Sequence, residues 1–218
     1  MKPRRRKADP VAPPRPYHHG DLRRALLDAG LQLLATRSAD DLALREVART
    51  VGVSPTAIYR HFPDKQALMS GLAAEGLAQL AQVQAEARAA AGDAAAGFLA
   101  SGLAYVRFAA EQPVLFQLTF THAAALDVLE ARPSEVSAAM RELRADVDRL
   151  VPAGTSPAAR KALALHAWAL VHGLAQLVLQ QQIAPDWALV ERVLRGAEAV
   201  VRAAGPAGPP TRRKTAAV

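Results

Sequence analysis

Leu44-Arg45-Glu46-Val47-Ala48-Arg49-Thr50-Val51-Gly52-Val53-Ser54-Pro55-Thr56-Ala57-Ile58-Tyr59-Arg60-His61-Phe62 is the stretch that decides the fold. Leu44, Val47, Ala48 and Val51 recur at helical spacing, so one face of a two-turn helix is apolar. Gly52 permits the left-handed backbone that ends such a helix. Ser54-Pro55 then supplies an N-cap followed by proline at the first helical position. Small Ala48 lets the two helices approach, and the sequence expects the Ser54 side chain to satisfy a free backbone N–H of the second. Helix, tight turn and helix is the signature of a helix-turn-helix. With Ile58 pointing inward, Thr56, Tyr59 and Arg60 project outward. An outward Tyr-Arg-His group on so short a helix has no packing use, but it suits phosphates and base edges.

Helices this short are unstable alone and must be held by neighbours. Leu22, Leu26, Ala29 and Leu33 form a stripe on a preceding helix, and Phe62 and Leu68 follow, enough for a small core. Outward from there almost everything reads as helix. Ala, Leu, Arg, Gln and Glu dominate, and no sustained period-two run of β-formers occurs. Helices are predicted at 21–36, 44–51, 55–61, 64–90, 94–111, 113–121, 133–150, 156–183 and 186–203. Asp21 is expected to cap the first of these, Pro63-Asp64 opens the fourth, and Pro113, Pro133, Pro157 and Pro185 lie near later starts. The fold class is therefore all-α: a helix-turn-helix bundle, then a larger helical domain. The Pro-rich, basic segment 1–16 and the Gly/Pro-rich, basic segment 205–218 cannot bury a core and are expected to be flexible. The ordered part is expected over 17–204.

The charge is unevenly placed. Of 218 residues, 27 are Lys or Arg and 20 Asp or Glu, a formal net charge of +7. Residues 1–66 carry 13 basic and 7 acidic residues, whereas 67–204 carry 11 and 13. A basic front and a near-neutral body favour a module that faces a polyanion, joined to something else. Cysteine is absent, which excludes disulfides, Cys-ligated metals and thiol nucleophiles. No His-Glu-x-x-His, Gly-x-Ser-x-Gly or P-loop occurs, so neither an enzyme nor a cofactor-dependent protein is indicated. No apolar run approaches a membrane span, and the basic N-terminus leads into prolines, so a soluble cytoplasmic protein is expected.

Residues 20–80 resemble the DNA-binding domain of TetR-family transcriptional regulators. The resemblance lies in Leu44-Arg45-Glu46-Val47-Ala48, Gly52-Val53-Ser54, Ile58-Tyr59-Arg60-His61-Phe62 and Lys65-Gln66-Ala67-Leu68, and in the preceding Tyr17-His18-His19-Gly20-Asp21-Leu22. It implies a DNA-binding domain over 17–80, with the helix-turn-helix at about 43–62, and an effector-binding and dimerisation domain over 81–204. It also implies a recognition helix in the major groove. Tyr59 and Lys65 would then meet phosphate, and His61 would pack or meet phosphate. Thr56 and Arg60 would lie where base edges are read, and Pro55 would share the leading edge with Thr56. Arg45 and Ser54 complete the implied DNA-binding set. Two positions depart from the family pattern. Ala43 replaces the usual capping Ser or Thr, leaving Asp40 or Asp41 as substitutes, and Thr56 replaces a common glycine. The arm Arg4-Arg5-Arg6-Lys7 could reach a minor groove or remain a solvated tail.

Residues 94–203 resemble the ligand-binding and dimerisation region of the same family, and Trp168-Ala169-Leu170-Val171-His172-Gly173 is similar to the Trp-x-x-x-His-Gly motif of one subgroup. Trp168 and His172 share a helical face and could line an effector pocket or fill a core. Tyr105, Phe108, Phe116 and Phe120 point toward one interior, again as core or pocket lining. The resemblance implies a homodimer through the last two helices, double-stranded DNA with a palindromic operator as partner, and an unidentified small-molecule effector. A DNA-binding architectural module without effector control is the alternative.

Overall fold

A computed structural model describes residues 19–122 and 127–203. The segments 1–16 and 205–218, with the Arg4–Lys7 arm, lie outside the described residues, as do Tyr17 and His18. Nine helices are present among the described residues, and no strand. They are α1 (His19–Leu34), α2 (Leu44–Val51), α3 (Pro55–Tyr59), α4 (Lys65–Ala89), α5 (Ala94–Glu111), α6 (Pro113–Thr121), α7 (Ala138–Leu150), α8 (Pro157–Leu179) and α9 (Trp187–Ala203).

The first three helices close a small bundle against the start of α4. Leu26, Leu27 and Ala29 of α1, Leu44, Val47 and Ala48 of α2, Ile58 of α3, Phe62, and Leu68, Met69 and Leu72 of α4 are all buried together. Gly30 makes this closure possible, because a Cβ there would stand 2.9 Å from Leu72 Cδ2. The same core runs on into the body through Leu80, Tyr105, Phe108, Phe116 and Leu118. α4 packs on α1, α5, α6 and α7, so it belongs to both halves. Two smaller clusters complete the body. One joins Phe98 to Val147, Leu163 and Ala167, and the other joins Val106 to Leu174, Val190 and Leu194.

The turn after α2 forms as its chemistry requires. Gly52 adopts φ +81, and the N–H of Val53 reaches back to the Ala48 carbonyl at 2.9 Å. Other ends differ from the sequence reading. α1 begins at His19, so Asp21 lies within the helix and cannot be its cap. Ser54 is the N-cap of α3 through its carbonyl, which accepts from Ala57 N at 2.9 Å, but its side chain makes no capping bond. α2 likewise has no side-chain cap at Ala43. Asp41 does not substitute, because its carboxylate accepts from Ser38 Oγ at 2.6 Å. The contribution of Asp40 is a backbone carbonyl held by Lys65 Nζ at 2.5 Å. Asp64 does cap α4, accepting from Ala67 N at 2.7 Å.

α7 starts five residues later than its proline suggests. Glu135 accepts from the backbone N and the side chain of Arg132, fixing a turn there, and Ser137 caps the helix through Met140 N at 3.3 Å. α8 stops at Leu179, before the predicted 183. Gln181 takes φ +56 and the N–H of Gln182 bonds the Leu177 carbonyl at 2.9 Å, a left-handed stop made without glycine. α8 is also long and apolar enough to cross a membrane by length and composition, with mean hydropathy 1.6 over an 18-residue window. The sequence reading missed this because His166, His172 and Gln176 break the apolar run, although its average stays high.

Candidate functional site

α3 stands on the outside of the N-terminal bundle. Ile58 is fully buried and anchors it, while Pro55, Thr56, Tyr59 and Arg60 are exposed. Tyr59 is 45% accessible, unusual for so large a ring, and its phenol faces solvent. Arg45 of α2 and Arg60 are exposed and pair with no acid among the described residues. Arg49 and Arg37 differ, both lying against Glu46, at 3.5 and 2.5 Å. His61 is half-buried, and its N–H caps α3 on the Ile58 carbonyl at 3.0 Å. The Ser54 hydroxyl, unused as a cap, is exposed on the same edge. Lys65 is half-buried, and its ammonium holds the α1–α2 loop through Asp40. Two further donors remain on that ammonium. A tyrosine hydroxyl, two unpaired guanidinium groups and a short rod thus share one basic, solvent-facing edge, a chemistry that fits phosphate and base contacts together.

The body encloses a cavity of about 790 Å³. Its walls come from α4, α5, α6, α7, α8 and α9 and from residues between α6 and α7. Of the six residues singled out for ligand binding, Tyr105, Phe120 and Trp168 line it. Phe108 and Phe116 are not among the lining residues; they are 3% and 0% exposed and belong to the core behind it. His172 also lies behind the wall. It stacks on Phe116 with ring centroids 5.7 Å apart and meets the Tyr105 hydroxyl through Nδ1 at 2.9 Å. Tyr105, Phe116 and Phe120 form one aromatic group, with Tyr105 edge-on to Phe116 at 5.5 Å and Phe116 at 4.9 Å from Phe120.

Burial holds the His172 ring below its ordinary pKa, and burial pushes the Tyr105 phenol up. The Tyr105 hydroxyl and His172 Nδ1 join α5 to α8, and the other ring nitrogen, Nε2, lies 3.4 Å from the Gln176 amide nitrogen.

Polar features invisible in the sequence complete the site. At one end Gln66, the residue after Lys65, has its side-chain nitrogen 3.3 Å from His122 Nδ1, and both residues line the cavity. At the other end Arg88 binds Asp146 through Nε at 3.0 Å and Nη2 at 2.8 Å. The Asp146 side chain is 4% exposed and Arg149 also donates to it. Between these ends Gln84 gives its Nε2 to the Ser101 carbonyl at 3.2 Å. No sequence motif links partners 58 or 17 residues apart. The nearest available signal was the repeat of small and polar residues at Gln66, Ser70, Ala73 and Gln84 along a single helix face.

Comparison with known proteins places these features. A family model described as bacterial regulatory proteins of the tetR family matches residues 26–72, and one described as a tetracyclin repressor-like C-terminal domain matches residues 98–204. An uncharacterized HTH-type transcriptional regulator of Haemophilus influenzae is 46% identical over 67 residues, 30% of this chain and 33% of that protein, so the match spans only a third of that relative. A protein of unknown function from Rhodococcus sp. superposes with a TM-score of 0.64 at 31% identity, covering 86% of this chain and 97% of the other. A TetR family transcription regulator from Marinobacter aquaeolei has a TM-score of 0.60 at 22% identity, covering 81% of this chain and 93% of the other, a likeness of fold.

Proposed function

The chain belongs to the TetR family of bacterial regulatory proteins, and from that premise we propose that it is a homodimeric repressor which a small molecule releases from a palindromic operator. The single observation that carries this reading is the reach of the cavity. It extends to Gln66, which adjoins Lys65 at the first turn of α4. α4 therefore touches both a ligand-sized volume and the bundle that displays α3. A volume near 790 Å³ lies within the range of sites built for small molecules.

In this scheme the exposed edge of α3 enters a major groove. Tyr59, Lys65 and Arg45 set position on the backbone, and Arg60 and Thr56 read base edges, with Pro55, Ser54 and His61 at the contact margin. Arginine bidentate to guanine discriminates by about 1–3 kcal/mol. A two-fold dimer supplies two such helices about 34 Å apart, one turn of DNA. The surface that supports pairing lies on α8 and α9. Leu165, Ala169, Gly173 and Leu177 form an exposed stripe on α8, and Leu189, Val193, Gly196 and Val200 form one on α9. Gly173 and Gly196 both open onto free space, so a second backbone can come close. This face accounts for the apolar character of α8 without a membrane. A ligand that fits the cavity better in the wider-spaced state shifts the pair away from the operator, by no more than its difference in affinity for the two states.

The test is selection of bound fragments from random DNA, followed by competition. A selected palindrome should outcompete random duplex by at least a hundredfold. Arg60→Ala should flatten that ratio, while Tyr59→Phe should weaken all sequences similarly. Equal competition by random duplex would replace this reading with sequence-independent binding through charge.

A further inference from the structure

The cavity follows α4. Gln66, Ser70, Leu77, Gln84 and Arg88 line it along one face of that helix, which rises about 33 Å from the first of them to the last. A compact space of 790 Å³ would not touch both, so the void is a channel rather than a bowl. Between the ends the wall is apolar, and Leu80, Phe98, Met140 and Ala167 in it are all buried. An unbranched chain fills such a space, whereas a compact ring system of equal volume leaves wall atoms without neighbours.

Most polar side chains along the channel are spent on the protein itself. Arg88 is bound through two nitrogens to Asp146, and Glu135 accepts from Arg132. Gln84 donates to the Ser101 carbonyl, and its side-chain oxygen is fully buried. The Ser101 hydroxyl donates to the Phe98 carbonyl, and the Ser137 hydroxyl accepts from Met140 N. Spare capacity collects where α4 begins. Gln66, Ser70 and Ala74 are exposed lining residues spaced four apart, so they face the void together. Ser70 Oγ has no partner among the described residues. Gln66 and His122 meet through one atom each, which leaves the amide oxygen and the second ring nitrogen without a described partner. None of the three carries a fixed charge. A hydroxyl can both donate to and accept from this group, whereas a charged end would leave water with no counter-charge to meet it.

We infer that the cavity takes a long, unbranched, uncharged molecule, an alkyl chain whose one small polar end rests among Gln66, Ser70 and His122. This rests on the cavity being the effector site proposed above. The chain runs along α4 toward Arg88, and its polar end touches the residue that follows Lys65, at the edge of the DNA-binding bundle. Length is read by the apolar wall and the end group by the first turns of α4.

The experiment is calorimetric titration of the full chain, without DNA, with 1-tetradecanol, tetradecanoate at pH 8, 1-octanol, tetradecane and the compact alcohol triphenylmethanol. All are delivered from one cyclodextrin carrier and corrected for their affinity for it. Tetradecanol should bind about tenfold or more tighter than tetradecanoate or triphenylmethanol. It should bind more than about a hundredfold tighter than octanol, since each buried methylene contributes about fourfold. In Ser70→Ala combined with His122→Phe, tetradecanol should weaken about fivefold or more, while tetradecane changes by less than about twofold. Tetradecanoate, octanol or triphenylmethanol matching tetradecanol, or a folded double variant that holds the alcohol as well as the unaltered chain does, would each overturn the inference. The unaltered chain decides the first three comparisons whether or not the variant folds. Tetradecanol that binds in this pattern yet leaves an operator complex intact would support the ligand class and refute release. Operator binding with no affinity for any of the five probes would refute the ligand class and leave repression standing.

Discussion

Replacing Asp146 with alanine strands the Arg88 guanidinium. Among the described residues Asp146 is the sole acid partner of Arg88, and the two side chains are 4% and 19% exposed. Arg88 holds it through Nε and Nη2, and Arg149 through Nη1, so one carboxylate answers two cations. Arg149 is half exposed and retains Glu142 at 3.5 Å, so it recovers in solvent. Arg88 is more confined, because its side chain is only 19% exposed and its stem lies against Gly97. Leaving a buried charge uncompensated costs about 3–5 kcal/mol. At about 2–4 °C per kcal/mol for a chain of this size, the melting temperature should fall by about 6–20 °C. Urea denaturation followed by circular dichroism, at one fixed protein concentration, gives the free energy directly. Arg88→Met combined with Asp146→Leu should recover most of the loss, since removing both charges avoids the stranded one. A loss below about 1 kcal/mol in Asp146→Ala, or a double variant as unstable as the single one, would refute the argument. The single variant also frees a cation at the cavity end. Where it is folded, it should bind tetradecanoate at least tenfold better than the unaltered chain does.

Three further outcomes are expected. A Cβ on Gly76 would overlap Thr119 Oγ1 and stand 3.0 Å from Leu115 Cδ1, so Gly76→Ala should destabilise by about 1–3 kcal/mol in the same denaturation assay. Burial lowers the His172 pKa from 6.5, so the folded chain takes up that proton less readily than the unfolded one. Stability should then be full above pH 6.5 and decline as pH falls below it; melting curves from pH 7.5 to 5 should show a steeper decline for the unaltered chain than for His172→Gln, and equal slopes would exclude the effect. Leu177→Glu puts a charge in the exposed stripe of α8, and sedimentation should find a helical monomer with lost affinity for a two-site palindrome.

The helix-turn-helix was legible in the sequence because local chemistry dictates it. Gly52, Ser54-Pro55 and the spacing of Leu44, Val47 and Ile58 act within a few residues of each other, and each had one structural solution. Exposure of Tyr59 followed from burial of Ile58 on the opposite side of the same turn. The cap details were less legible, because several groups could serve. Ser54 uses its carbonyl, Asp41 turns to Ser38, and Asp40 meets Lys65 instead. In the body, helical spacing correctly gathered Tyr105, Phe116 and Phe120, yet spacing cannot say which side of a ring faces a void. Phe116 and Phe108 fill the core while Phe120 and Trp168 border the space. Gln84, Arg88 and Asp146 were out of reach altogether. Their roles depend on contacts between α4, α5 and α7, and nothing in one-dimensional pattern selects those partners among the chain's other glutamines, arginines and aspartates.

Lys65 and Gln66 are neighbours in the chain with opposite allegiances. One side chain grips the loop that braces the recognition rod, while the other leans on His122 at the wall of the void. On the repressor reading proposed above, a signal from occupant to groove would have a single peptide bond to cross. Drift in the far wall would then retune what the protein senses without disturbing what it reads, whereas substitution at either of these two adjoining positions would touch both.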